Sequence, residues 1–540
     1  MTTQLLVGGT VYSSPAVPDA TALAVTDGVV VWVGTDDIGR ALHPGAEVID
    51  LGGRFVSPGF VDSHVHLTDT GVGLGGLDLS EATSRADCLN RLRAYADAHD
   101  DDFIWGLGWD SSSWPDAGDP AAAPPTTAEI DQIVGRRPAY LSRIDEHSAA
   151  ASTALRERVD GLAGAHGYDP QAPLIADAHH LVRAVARGLI SPEGRHRAQV
   201  RALDHCASRG VVAVHENGGP EISGRADFAS IGQIDHPVVV RRYWGELVAT
   251  PEEAAQVLVD TGAHAIGGDL FVDGALGSHT ALLSAPYTDR PETAGVSYLS
   301  PDQVYTHLRA TTLAGVQAGF HVIGDAATAM VAEAMSRLAD ELGTPVLARC
   351  AHRLEHAEMV TPAQAELFAR CGVIASMQPL FDALWGGEGD LYAQRLGERG
   401  GSLNNFASLA KAGVSLSFSS DSPVCSIDPW ATVRAAAHHH NPTSSISPRA
   451  AFAAATRGGW RAGGVNDGLT GALVPGAPAH YAIWEADDLV VAASHAGVQR
   501  WSTDPRSRVP ALPDVAPGAT LPTCVQTVVD GDVVYSAGAL

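Results

Sequence analysis

The 540-residue chain carries 62 acidic residues against 35 basic ones, a formal charge of −27 at neutral pH, with 45% hydrophobic and 18% charged residues. That balance buries a large core and excludes a disordered chain, and the acidic excess argues against nucleic acid or an anionic membrane surface as partner, since either needs clustered Lys and Arg. Lys411 is the only lysine, so any chemistry that needs a lysine must use it.

The length exceeds one typical domain and predicts a large domain plus a smaller one. The first ten residues, Met1 to Thr10, lack a basic segment and a long apolar run, and no stretch of about 18 apolar residues occurs further on. Cys88, Cys206, Cys350, Cys371, Cys425 and Cys524 are scattered without a C-x-x-C pair, the pattern of reduced thiols. A soluble cytoplasmic protein without signal peptide or membrane span is the expectation.

Residues 4–56 alternate short β-type runs with turns: Leu5–Val7, Ala22–Val25, Val29–Val33 and Glu47–Leu51. The last seventy residues return to this style in Ala479–Trp484 and Val525–Tyr535. Residues 1–56 plus 470–540 are therefore predicted to build one composite β-sandwich domain beside a domain spanning 57–469.

Between these ends, Phe55–His66 reads as a buried strand that closes in His-x-His. The two-residue period puts His64 and His66 on one face, where both imidazoles can reach one cation. Two hydrogen-bonded core histidines remain the alternative at this point. Residues 68–205 read as a long insertion after that strand, of the kind that builds a substrate enclosure. It includes helices around Asp87–Ala98 and Ala176–Ala186, the Pro/Ala-rich Asp119–Pro125, and an apolar run Ala139–Arg143 that ends near His147. Gly73–Gly76 reads as a loop and not a phosphate cradle, because no lysine follows it.

Seven further β-type runs follow: Val211–Val214, Val238–Tyr243, Leu270–Val272, Gly319–Ile323, Arg353–Glu355, Val373–Met377 and Val414–Ser419. With Phe55–His66 they make eight. Helical segments between them, Pro251–Asp260, Ala327–Leu342, Pro362–Arg370 and Leu403–Ala412, predict an α/β fold of the TIM-like (β/α)8 barrel type. Further candidate ligands sit at predicted strand ends, where such barrels keep their active sites: His321, His356 and Asp421. Alternation turns Glu355 away from His356.

The stretches PGFVDSHVHL, DGALGSHTALL (Asp273–Leu283), HVIGDAA (His321–Ala327), RLEHAEMV (Arg353–Val360), ASMQP (Ala375–Pro379) and SSDSPV (Ser419–Val424) resemble the amidohydrolase superfamily, in its family 3 branch, which includes N-substituted formamide deformylases. The resemblance implies that His64, His66, His321, His356 and Asp421 take the family's metal-site positions. Two-metal relatives carry a carboxylated, bridging lysine on the fourth strand, where this chain has Asp269, and Lys411 lies on the helix before strand eight. The resemblance together with this departure implies one divalent metal, most simply Zn²⁺, among His64, His66, His321 and Asp421, with a second metal at His321, His356 and Asp269 as the rival arrangement. Asp273 shares the predicted strand face of Asp269. His279 stands where the family usually has arginine.

Such a site lowers the pKa of bound water to roughly 7 and supplies a hydroxide that attacks a carbonyl or amidine-like carbon. Asp421 is the expected general base and then acid, and His356 the expected donor to the substrate oxygen. The expected activity is hydrolysis of the C–N bond of an amide or N-substituted formamide. Deamination of a heterocycle or amidine uses the same site, and a non-catalytic scaffold is the third possibility. The partner is a small-molecule substrate, and a homodimer is the expectation for an enzyme of this size. His438–His440 reads as a helix end. Trp105, Trp109, Trp114 and Trp385 read as core packing or a pocket wall, and His147 and His215 as candidate substrate contacts.

Overall fold

The computed structural model describes residues 2–14, 17–114, 123–491 and 510–538. Its central strands are short, parallel and buried, as β-branched and apolar runs covered by helices on their outer side dictate. Phe60–Val65 pairs with Val211–Gly218, which pairs with Val239–Trp244. Gly319–Val322, Arg353–His356, Ile374–Met377 and Ser415–Phe418 form a second parallel sheet. Single bridges link the two arcs, Val65 to Ser422 on one side and Tyr243–Ala265, Ile266–Ala318 and Phe271–His321 on the other. Helices Pro251–Thr261, Pro301–Ala314, Asp325–Leu342 and Pro362–Arg370 alternate with these strands. Three of them open on a Thr or Ser cap followed by proline, which satisfies first-turn N–H groups and presets the helical φ.

Three predicted elements differ. Leu270–Val272 is not a regular strand. Gly267 and Gly268 have φ of 153° and 80° and break the ladder, and a Cβ on Gly267 would lie 2.0 Å from the Gly319 amide nitrogen. Only glycine permits that crossing. The Phe55–His66 strand divides at Gly59, where a Cβ would lie 2.2 Å from Val212 Cγ1. Its first half, Phe55–Pro58, pairs with Thr10–Val11 and Tyr481–Glu485, so residues 57 and 58 run with the terminal strands. The predicted helix Leu403–Ala412 begins at Phe406, because Asn404 has φ of 52° and the Asn405 side chain caps the Ser408 N–H.

Two sheets lie at the chain ends, the first joining strands of both ends and the second built from the N-terminal end alone. One is ordered Thr10–Val11, Phe55–Pro58, Tyr481–Glu485, Thr523–Val529, Asp532–Ser536, and the other Val29–Gly34, Ala22–Thr26, Thr3–Val7, Glu47–Asp50. Leu6, Leu23, Val30, Val56, Ile483 and Val528 share one buried cluster between them. A separate five-stranded sheet lies wholly within Leu77–Ile175, and Trp109 and Trp114 pack in its core with Cys88, Leu92 and Ile130, while Trp105 packs against Tyr140. Asp119–Ala122 of the Pro/Ala-rich run lies outside the described residues. The helix Ala176–Gly188 follows this sheet and buries Val182, Arg183, Ala186 and Arg187 on one face. Among the described residues no helix is long and apolar enough to cross a membrane.

Candidate metal centre and active site

Four strand ends converge. His64 lies in the Phe60–Val65 strand and His66 caps the helix that follows. His321 and His356 lie in adjacent parallel strands, and Asp421 sits three residues beyond Ser415–Phe418. Two main-chain hydrogen bonds stitch the first and last of these strands together, from the Asp421 N–H to the His64 carbonyl and from the His66 N–H to the Ser422 carbonyl, both 2.9 Å. His356 and Asp421 have φ of 69° and 57°. These left-handed residues end the two-residue alternation and turn both side chains to the centre.

Four nitrogen–oxygen separations define the arrangement. His64 Nε2 lies 3.3 Å from Asp269 Oδ2 and from Asp421 Oδ1, and His66 Nε2 lies 3.2 and 3.3 Å from the same two oxygens. His64 Nε2 and Asp421 Oδ1 are buried and make no hydrogen bond. Donors around a divalent ion at about 2.0–2.2 Å stand roughly 3.0–3.5 Å apart, so the residues fit a cation. The charges fit as well: burial alone would depress His64, yet Asp269 and Asp421 hold it up at about 10, and they raise His66 well above its ordinary value. Two buried carboxylates require about two positive charges, which one divalent cation supplies with both imidazoles neutral.

His321 keeps other company. Among the described residues, the sets whose donor atoms all lie within 4.8 Å of one another are His64, His66 and Asp269; His64, His356 and Asp421; and Asp269, His321 and His356. Asp269, not His321, therefore joins His64 and His66. Burial and the neighbouring His356 hold His321 down at about 3, the neutral form that a metal ligand needs. Asp273 leaves the centre, contrary to the face it shares with Asp269 in a regular strand: its carboxylate accepts the N–H groups of Leu282, Ile323 and Gly324 at 2.8–3.0 Å. The broken fourth strand removes the alternation that the expectation assumed.

Beneath the centre lies a layer that sequence reasoning missed. Glu355 Oε2 accepts from His64 Nδ1 at 2.9 Å, which aims Nε2 at Asp269 and Asp421. Burial alone would raise Glu355, but the Arg353 guanidinium, bonded to both its oxygens at 2.8–2.9 Å, holds it at about 2. Gln378 acts likewise on His356. Its amide donates to Ser419 Oγ and its oxygen accepts from His356 Nδ1, each at 2.9 Å. Both residues stand inside the motifs RLEHAEMV and ASMQP; for Glu355 its place next to the candidate ligand His356 was the available signal, and Gln378 has no such neighbour. Glu355→Gln is expected to weaken metal affinity by about 10–100-fold, the effect of losing a carboxylate behind a ligating histidine. It also leaves buried Arg353 short of its partner, at a cost of about 3–5 kcal/mol. Metal titration and thermal melting measure the two effects.

Two chambers open on the centre. One is walled by Leu276, Ile323, Phe381, Trp385, Leu391 and Tyr392. The other is lined by charged groups including Asp145, Glu146 and Arg183. Asp145, His147, His321, His356, Asp421 and Val424 border both. Trp385 is thus a chamber wall, and His147 faces both chambers. His215 does not: Arg353 Nη1 contacts its Nδ1 at 2.9 Å and it packs on Tyr243. His279 pairs with Asp289 at 3.0 Å behind the chamber wall. His438 ends the helix Pro429–Ala437, and buried His439 meets Asp382 at 3.2 Å. Lys411 is exposed on its helix, Phe406–Ala412.

Buried imidazoles and carboxylates gathered at the ends of parallel strands define a hydrolase of the metal-dependent class. The amidohydrolase family model matches residues 47–535, and the chain belongs to that family. It is 28% identical to Protein LONG AFTER FAR-RED 3 of Arabidopsis thaliana, over 89% of this chain and 86% of that protein. An N-substituted formamide deformylase of Arthrobacter pascens is 24% identical over 76% of this chain and 78% of its own length. Among solved structures, a metal-dependent hydrolase from Pyrococcus furiosus superposes with a TM-score of 0.67 at 26% identity, covering 90% of this chain and 99% of that one. The fold is the α/β barrel of these hydrolases, and the activity is hydrolysis of C–N bonds other than peptide bonds in a small-molecule substrate.

Proposed function

We propose that this chain hydrolyses an acyl amide of the N-substituted formamide type. In this reading His64, His66, Asp269 and Asp421 hold one divalent cation, which the nitrogen and oxygen donors suit to Zn²⁺. The four separations of 3.2–3.3 Å between two imidazole nitrogens and two carboxylate oxygens carry the reading. A cation bound there supplies hydroxide at neutral pH, because it lowers the pKa of its water to roughly 7.

The chain's own groups do the rest. Burial alone would raise Asp421, but His64 and His66 keep it below the ordinary carboxylate range. It therefore stays ionised, takes the proton of the attacking water and returns it to the leaving amine. His356 has Nδ1 committed to Gln378, and against the effect of burial Asp269 and Asp421 hold its pKa above the ordinary value. Its Nε2–H then donates to the substrate oxygen as that oxygen gains charge. The apolar chamber beside Trp385 excludes water from the reacting carbon.

A second reading has two cations sharing Asp269. Asp269 Oδ1 is buried without a hydrogen bond and faces His356 Nε2 at 3.9 Å, and Asp269, His321 and His356 form a compact donor set. Metal content of protein purified without chelator, measured beside His64→Ala, separates these. About one equivalent, lost in the variant, supports the single cation, and about two supports the shared carboxylate. No metal with activity intact ends both. Product analysis with N-formyl amines then distinguishes formate release from the ammonia that a deaminase would liberate.

A further inference from the structure

The apolar chamber beside the centre has a carboxyl group among its aromatic walls. Glu358 lines it together with Phe381, Trp385 and Tyr392, and the chamber opens on His321, His356 and Asp421. Glu358 is 3% exposed, two residues beyond the strand Arg353–His356, and its Oε2 is buried with no hydrogen bond. The Tyr392 hydroxyl, which accepts from Asn404 Nδ2 at 3.2 Å, lies against the same carboxyl. Burial pushes that carboxyl up to about 7; Asp273 and Asp421 act in the same direction, while the Tyr392 hydroxyl and the His356 imidazole oppose them.

Among the described residues no arginine or lysine lines this chamber. The guanidinium groups behind its Leu276–Gly277 wall are matched already. Arg143 meets Asp110 and Asp145 at 2.5 and 2.6 Å, and Arg395 meets Asp289 at 2.5 Å and the carbonyls of Leu276 and Gly277 at 3.2 and 3.1 Å. The aromatic rings stand at angles to one another: Phe381 and Trp385 are 4.8 Å apart and inclined at 48°, Trp385 and Tyr392 6.3 Å apart at 65°, and Phe381 stacks on His356. Inclined aromatic rings beside a carboxyl suit a cationic nitrogen, because ring faces and carboxylate both attract positive charge while the same walls hold an alkyl stem.

We propose that Glu358 receives a protonated amine of the substrate, so that the scissile amide carries an aminoalkyl group whose stem lies along Phe381 and Trp385 and whose ammonium ends at the Glu358 carboxylate. The unbonded Oε2 accepts an ammonium N–H, and the charge-assisted bond replaces hydration that both groups lose in the chamber. This rests on the formamide hydrolase reading above for its chemistry, but the recognition step is measurable without turnover.

The test uses N-(4-aminobutyl)formamide and N-pentylformamide, in which a methyl group replaces the ammonium. Formate release is measured on the metal-loaded wild type, Glu358→Gln and Trp385→Leu, and calorimetry gives the binding of the corresponding ureas, which resist hydrolysis. The wild type is expected to favour the ammonium probe by about 10- to 100-fold in both kcat/KM and Kd, the range of a hydrogen bond to a charged group together with a cation–π contact. Glu358→Gln should remove that preference through KM, and Trp385→Leu should reduce it by several-fold. A wild type that handles both probes alike, or a Glu358→Gln variant that keeps the preference while kcat falls equally for both, overturns the proposal. Ammonium-selective binding of the ureas without formate release from either formamide overturns the formamide reading instead and leaves the role of Glu358 standing. If Glu358→Gln does not fold, the wild-type preference and Trp385→Leu still decide.

Discussion

Asp421→Asn is expected to lower kcat by about 10³-fold or more while the protein keeps its fold. The carboxylate performs two tasks in the proposed reaction, proton acceptor for the attacking water and cation ligand, and general base catalysis alone contributes about 10²–10⁴-fold. Asparagine is the fitting replacement because Asp421 has φ of 57°, a left-handed conformation that Asn tolerates better than other side chains. The hydrogen bond from the residue 421 N–H to the His64 carbonyl is main chain to main chain and survives the change. An unchanged circular dichroism spectrum and melting temperature would show the fold kept. Activity within tenfold of wild type would remove Asp421 from the reaction.

Asp269→Asn is expected to cut metal retention by at least 10²-fold, and activity with it. Asp269 is 5% exposed and its carboxylate contacts His64 and His66 at 3.2–3.3 Å on one oxygen and His356 at 3.9 Å on the other. Burial alone would raise its pKa, but these histidines hold it well below the ordinary range. The amide substitute keeps the shape and discards the charge that offsets a divalent ion. Dialysis against a metal-buffered solution followed by elemental analysis gives the retained stoichiometry. A fall from about one equivalent to none fits the single cation, whereas a fall from about two fits a carboxylate that two cations share. Retention equal to wild type would exclude Asp269 as a ligand.

The position of Asp269 shows why the candidate site was only partly legible in the sequence. His64, His66, His321, His356 and Asp421 each end a strand-like run, and strand-end placement is a local property that period and composition expose. Whether Asp269 reaches the centre depends on Gly267 and Gly268, whose positive φ values break the fourth strand where it crosses Gly319. Strict alternation then misled twice: it kept Asp273 beside Asp269 and sent Glu355 away from the histidines. Asp273 is spent on three main-chain N–H groups, and Glu355 holds His64.

The sequence by itself determined the strand-end histidines and aspartate, most of the central strands and helices and the absence of a usable lysine, since these follow from residue identity, spacing and local period, while the class of chemistry followed from the resemblance of its motifs. Lys411 alone, on a surface helix, settled that no lysine serves the centre. Only the tertiary structure decided which donors meet and which histidine nitrogen faces inward. The pairings Asp269 with His66, Glu355 with His64 and Arg187 with Asp69 join residues about one hundred to three hundred positions apart. No local pattern encodes such contacts, because they form only when distant strand ends and loops close on one another and exclude water.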